Sequence, residues 1–124
     1  MILGFIGTGK ISYSIITGIC NSKIKIKKIL ISPRNRTLSQ KLSKKFRQVK
    51  IAKNNEEIVD KSNWIFLAVT PTVGQKIISK LRFKTKQTII SLISTITLPD
   101  LKKMIKVKAS IIRAIPLPPI ALKK

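Results

Sequence analysis

The 124 residues predict an α/β fold, doubly wound, with a mostly parallel sheet and helices on both faces. Short apolar runs alternate with stretches whose apolar residues recur at helical spacing. Several of those runs are continuously apolar, as strands covered on both faces are. Right-handed crossovers turn such an alternation into a parallel sheet sandwiched between helices.

Ile2 to Ile6 reads as a strand ended by Gly7-Thr8-Gly9, after which Ile11, Ile15, Ile16 and Ile19 recur at helical spacing. Lys28 to Ser32 carries Ile29, Leu30 and Ile31 in succession, and Pro33 stops it. A first β-α-β unit closes there. Leu38, Leu42 and Phe46 lie four apart and define the core face of a second helix that starts near Asn35 or Arg36. Val49 to Ala52 is a weaker third strand. Asn54 and Asn55 cap a short helix with Glu56 and Glu57 in its first turn, where negative charge suits the helix dipole. Trp64 to Val69 is the clearest strand, with Trp64 expected in the core.

Pro71 opens a helix with Val73, Ile77 and Leu81 on one face, and Thr88 to Ile93 follows as a strand. Thr97-Leu98-Pro99-Asp100 has the form of a capping box with proline near the first helical position, and Leu101 and Ile105 point inward. Ser110 to Arg113 is a sixth short strand. Pro116, Pro118 and Pro119 then forbid regular structure. The expected organisation is one domain, residues 1–115, followed by a proline-rich tail, 116–124.

Hydrophobic residues make up 44% of the chain and aromatic ones 5%, enough aliphatic surface for a core. The single cysteine, Cys20, excludes an internal disulfide, and without histidine no Cys/His cluster can hold a metal. Cys20 has no imidazole to activate it and is expected to be a small packed residue. Glu56, Glu57 and Asp60 are explained by capping and solvation. No apolar run approaches the roughly 20 residues of a membrane span, and the early glycines do not fit a signal peptide. A cytoplasmic protein is expected.

The formal charge of +22 raises nucleic acid as a partner. However, 21 of the 26 basic residues are lysine and 5 arginine, whereas bidentate reading of phosphate and guanine favours arginine. The lysines are expected on nearly every surface. Neither a specific nucleic-acid partner nor a membrane is expected; the remaining consequence is long-range attraction for anionic ligands.

Gly7-Thr8-Gly9-Lys10-Ile11-Ser12 fits G-x-G-x-x-[G/A/S] between a predicted strand and a predicted helix, the context in which this pattern binds dinucleotides in a Rossmann-like fold. Gly7 allows the tight turn, Gly9 lets the backbone approach a diphosphate, and Ser12 is small enough for the helix to lie close on the strand. The anion then meets free N–H groups at the helix start; the other reading is a tight strand-to-helix turn with no ligand. A site specific for NAD places a carboxylate at the end of the second strand. Here Ser32-Pro33-Arg34-Asn35-Arg36 stands at that place and no acidic residue precedes Glu56. NADP is therefore preferred on charge, with a basic turn that merely caps the next helix as the other reading.

Taken together, Gly4-Phe5-Ile6-Gly7-Thr8-Gly9, Ile31-Ser32-Pro33-Arg34-Asn35, Asn55-Glu56-Glu57-Ile58-Val59-Asp60, Phe66-Leu67-Ala68-Val69-Thr70-Pro71, Ile89-Ile90-Ser91-Leu92-Ile93 and Ile112-Arg113-Ala114-Ile115-Pro116 resemble the NADP-binding N-terminal half of pyrroline-5-carboxylate reductase, the last enzyme of proline biosynthesis. The segments follow the family's order and spacing across nearly the whole chain. The resemblance implies that Ile6, Gly7, Thr8, Gly9, Lys10 and Ile11 wrap the diphosphate. It further implies that Ser32, Arg34 and Asn35 meet the 2′-phosphate and that Asn55 lies on the adenosine side. Ala68, Val69, Thr70 and Pro71 would border the nicotinamide ribose, with Ser94 near the ring. Thr70 replaces the basic residue common before the family's proline, Ser94-Thr95 replaces a small Ala-Gly pair, and Pro116-Leu117-Pro118-Pro119 replaces P-N-T-P.

The resemblance also implies the reaction: NADP-dependent reduction of an imine, 1-pyrroline-5-carboxylate, to L-proline. The family's helical C-terminal domain, which dimerises and completes the substrate pocket, is absent from these 124 residues. This cofactor-binding half is expected to reduce imines poorly or not at all alone, and to form oligomers only with the helical domain supplied. Two other readings stand beside it: another NADP-dependent oxidoreductase of the deazaflavin-linked type, and a nonenzymatic dinucleotide-binding remnant.

Overall fold

The computed structural model describes residues 1–114. Six strands, β1 (Ile2–Ile6), β2 (Lys28–Ile31), β3 (Val49–Ile51), β4 (Trp64–Leu67), β5 (Thr88–Ser91) and β6 (Ser110–Arg113), alternate with five helices: α1 (Lys10–Cys20), α2 (Arg36–Lys45), α3 (Asn55–Lys61), α4 (Pro71–Ile77) and α5 (Leu98–Ile105). The strands form one sheet in the order β3-β2-β1-β4-β5-β6. Every neighbouring pair is parallel, with Phe5 level with Ile31 on one side and Phe66 on the other. The sheet is thus wholly parallel, a Rossmann-like α/β fold. The proline-rich tail, 116–124, and Ile115 lie outside the described residues.

Successive strand residues face opposite sides of the sheet, and each side has its own core. Leu3, Phe5, Ile29 and Ile31 meet Ile16 of α1 and Leu42 of α2. Ile6, Leu30, Ile65 and Ile89 meet Ile58 of α3, Ile78 and Leu101 of α5. Phe5 and Phe66, level across the β1–β4 pair, stack with centroids 4.4 Å apart and planes 3° from parallel. Gly4 faces α3 so closely that a β-carbon there would collide with Ser62 Oγ and Ile58 Cγ2.

Four strands end one or two residues before the apolar runs do, each for the same reason. Ser32 N donates to Phe5 O, Ala52 N to Ile31 O, Ala68 N to Ile6 O and Leu92 N to Leu67 O. Each run adds one bond to one neighbour and then leaves the sheet. Leu81 is not helical. Past Ile77 the β-branched pair Ile77-Ile78 leads into a 3₁₀ turn, Ile78–Lys80, and Leu81 N closes it onto Ile78 O at 3.1 Å. Trp64 is not a core residue. As the first residue of β4 it stands at the rim of the sheet and is 38% exposed, whereas Ile65 beside it is fully buried.

Asn54 caps α3 by accepting from Glu57 N at 2.9 Å, while Glu57 accepts from Lys53 N at 2.7 Å and pairs with Lys61 at 3.0 Å. The backbone bond from Lys53 and then the bond from Lys61 hold the Glu57 carboxyl below its usual range. Asn54→Ala is expected to lower the unfolding free energy by about 1 kcal/mol, read by urea titration. A carboxylate depressed in the fold stabilises above its unfolded pKa and loses that contribution as pH falls through its folded one. The gap between the parent chain and Glu57→Gln is therefore expected to close on acidification.

Candidate dinucleotide-binding site

Strand order reverses between β1 and β4. The chain leaves β1 toward β2 and leaves β4 toward β5, so a crevice opens at the carboxyl ends of this pair, where open α/β sheets take their ligands. Gly7, Thr8 and Gly9 form one wall, and Ala68, Val69 and Thr70 the other. Gly7 has φ +98°, and a β-carbon on it would run into the Ala68 carbonyl and Val69 Cγ1. Ser12, fully buried on α1, donates to Gly7 O at 2.6 Å and ties the turn to the helix that follows.

Gly9 differs from Gly7. Its backbone is extended (φ −98°, ψ −166°), and a β-carbon on it would meet no protein atom within 4 Å. Neither strain nor packing within the chain requires glycine there. It is the N-cap of α1, and no side chain caps that helix. Side chains do cap α2 (Asn35), α3 (Asn54) and α5 (Thr97). The two helices without one, α1 and α4, are those that start at the crevice. At α4 this is met in part by Pro71, which has no N–H to satisfy. At α1 the first-turn amides face outward with no acidic residue beside them, a place suited to an anion.

Ser32 is the centre of a hydrogen-bond node. It is 3% exposed, and its Oγ accepts from Gly7 N at 2.9 Å and lies 2.9 Å from Asn55 Oδ1, to which it donates. Its carbonyl accepts from Thr8 Oγ1 at 3.0 Å and Ser39 Oγ at 2.8 Å. One residue thus joins the glycine turn, α2 and α3. Arg34 is exposed beside it, and Asn35 adopts the left-handed conformation (φ 44°) and accepts from Leu38 N at 3.4 Å.

The chain brings Ile6 to Ile11, Ser32, Asn55, Ala68 and Val69 together around the mouth of β1. Ile6 is fully buried and offers only backbone, while Ile11 is 46% exposed and Lys10 is exposed at the start of α1. Thr70 and Pro71 are exposed on the β4 side. Ser94 lies farther along, past β5, and is held by Arg113, which donates to its carbonyl at 2.7 Å. Sequence reasoning missed Ser39 and Arg113. The register that sets Ser91 level with Arg113 on β6 carries the latter. Burial raises the Cys20 thiol pKa, in keeping with a packed residue.

A family profile described as NADP oxidoreductase coenzyme F420-dependent matches residues 2–95. The chain belongs to that family. The matched span contains every site residue expected from the sequence and ends before α5, β6 and Arg113. Among solved structures, this member of the NADP oxidoreductase coenzyme F420-dependent family is similar to a pyrroline-5-carboxylate reductase from Coxiella burnetii, with 24% identity and a TM-score of 0.87 over 97% of this chain and 45% of that one. A Plasmodium falciparum pyrroline carboxylate reductase with NADP bound gives 21% identity and a TM-score of 0.81 over 98% of this chain and 44% of that one. A prephenate dehydrogenase from A. aeolicus, in complex with hydroxyphenyl propionate and NAD+, gives 16% and 0.67 over 85% and 38%. These share the fold, and the chain spans less than half the length of each. No curated protein matches it. The domain is of the nucleotide-binding oxidoreductase type.

Proposed function

We propose that residues 1–115 bind NADP in preference to NAD and supply the cofactor half of a 1-pyrroline-5-carboxylate reductase, a cytoplasmic enzyme of proline biosynthesis. The observation that carries this reading is the pairing of an uncapped α1 behind Gly9 with a β2–α2 turn that holds Arg34 and no carboxylate. The diphosphate would sit on the amides of Gly9, Lys10 and Ile11. The 2′-phosphate would meet Arg34 and the exposed side of Asn35. When bound, the reduced nicotinamide supplies a hydride for the C=N carbon of the imine. The chain's task is to hold and orient the dinucleotide, with Ala68 to Pro71 beside the ribose and Ser94 toward the ring. The similar reductases extend well beyond the length matched here. In this reading a helical domain of their kind closes the substrate pocket, excludes water and forms the dimer, and the 124 residues alone turn over imines poorly.

The family's description favours a second reading, hydride exchange between NADP and a deazaflavin. Titration of the full chain with NADPH and NADH, followed by a substrate panel containing both pyrroline-5-carboxylate and a deazaflavin, separates the two. Arg34→Ala is expected to weaken NADPH by about 10- to 100-fold, the worth of one charge-assisted phosphate contact, and to leave NADH unchanged. Equal affinities in the parent chain would overturn the NADP preference.

A further inference from the structure

The cationic residues are not spread evenly. In an all-parallel sheet every helix-to-strand connection lies at the amino edge and every strand-to-helix connection at the carboxyl edge. The connections at the carboxyl edge carry two basic residues, Arg34 and Lys53. Those at the amino edge carry nine. Lys23, Lys25 and Lys27 lie between α1 and β2; Arg82, Lys84 and Lys86 precede β5. The others are Arg47 before β3 and a pair before β6. None of these connections contains an acidic residue, and among the described residues Lys84 alone of the nine has its side-chain charge paired with a carboxylate, Asp60 at 3.0 Å, while Arg82 meets Glu56 Oε1 only through its backbone N–H at 3.3 Å.

Three large apolar side chains are exposed at the same edge, one of them Met1, 55% exposed just before β1. Ile24, 63% exposed, stands between Lys23 and Lys25. Its N–H donates to Ser22 Oγ at 3.1 Å, and that hydroxyl in turn donates to Ile19 O at 2.6 Å, so the segment has a fixed turn behind it. Trp64, 38% exposed, is the first residue of β4. A tryptophan and an isoleucine among lysines have the composition of a surface that sits at a lipid headgroup layer: lysine acts as a point charge toward anionic heads, the apolar groups enter the interface, and tryptophan prefers that depth. Nucleic-acid recognition would instead favour arginine and would gain nothing from Ile24. A molecule docked by this edge keeps the crevice at the carboxyl ends of β1 and β4 turned to solvent.

We propose that the amino edge of the sheet, centred on Lys23 to Lys27 with Ile24 and Trp64, is a docking face for an anionic phospholipid bilayer. The chain binds vesicles containing phosphatidylserine and not vesicles of phosphatidylcholine alone, and added salt weakens the binding steeply. Trp64 is the chain's single tryptophan, so its emission reports the contact directly by shifting to the blue on binding.

The test is vesicle cosedimentation and Trp64 fluorescence with the full chain. The triple change Lys23→Gln, Lys25→Gln, Lys27→Gln is expected to weaken binding on the order of 100-fold, about fivefold per charge. A control triple at Lys50, Lys53 and Lys76, also to Gln, removes as much charge elsewhere and is expected to weaken it far less. Ile24→Ser is expected to weaken vesicle binding several-fold and leave retention of duplex DNA unchanged. All are exposed positions, and unchanged thermal unfolding confirms that each variant is folded. The proposal is overturned if the two triples weaken binding equally, if phosphatidylserine adds nothing, if Trp64 emission does not move, or if Ile24→Ser is silent while DNA is held more tightly than vesicles.

Discussion

Gly7→Ala is expected to lower the unfolding free energy by about 2–4 kcal/mol, whereas Gly9→Ala, two residues on, costs less than about 1 kcal/mol. The difference follows from what a methyl group meets. At Gly7 it must adopt φ +98° and enter the Ala68 carbonyl and Val69, both part of the segment that leaves β4 for α4. At Gly9 it adopts ordinary extended backbone and projects into space that no protein atom occupies. Dinucleotide binding ranks the two differently. Gly9→Ala keeps its fold and is expected to lose about 10- to 100-fold in affinity for NADPH and NADH alike, 1.4 kcal/mol for each factor of ten. Urea titration and calorimetry on the two variants check both halves. A Gly9→Ala protein that takes up dinucleotide as well as its parent removes the diphosphate from that turn.

Ser32→Ala gives the second large effect. The change leaves the Gly7 N–H and Asn55 Oδ1 without their partner in a part-buried place, and each orphaned group costs about 1–3 kcal/mol. Because Oγ is spent on those two groups, its loss is expected to act through the position of the turn and to weaken NADPH and NADH by the same factor. Arg34→Ala should be selective. If Ser32→Ala reduced NADPH affinity and spared NADH, the hydroxyl would be a 2′-phosphate ligand in its own right.

These two residues also mark how far the sequence is legible. The glycine turn can be read directly, since a strand, two glycines at fixed spacing and a helical stripe each announce themselves locally. Strand existence and order of elements follow from alternation for the same reason. Ser32 reads as a polar donor at a strand end, and its burial is invisible because its partners Gly7 and Asn55 lie 25 and 23 residues away. Trp64 misleads differently: residue type suggests a core position, but the first residue of a strand lies where the covering helices end. The uneven placement of lysine was present in the sequence, and it becomes visible only once each connection is assigned to one edge of a parallel sheet. Leu81 fails because its helical spacing continues past the point where Ile77-Ile78 tightens the chain.

The bare start of α1 has a thermodynamic consequence. Where the other long helix that follows a strand, α2, carries its own terminating side chain, this one leaves that place to whatever anion arrives. The empty form is then the weaker form, and saturation at 100 times the dissociation constant adds about 2.7 kcal/mol by mass action. In a cell that degrades unfolded chains, the standing amount of this protein would rise and fall with the supply of pyridine nucleotide.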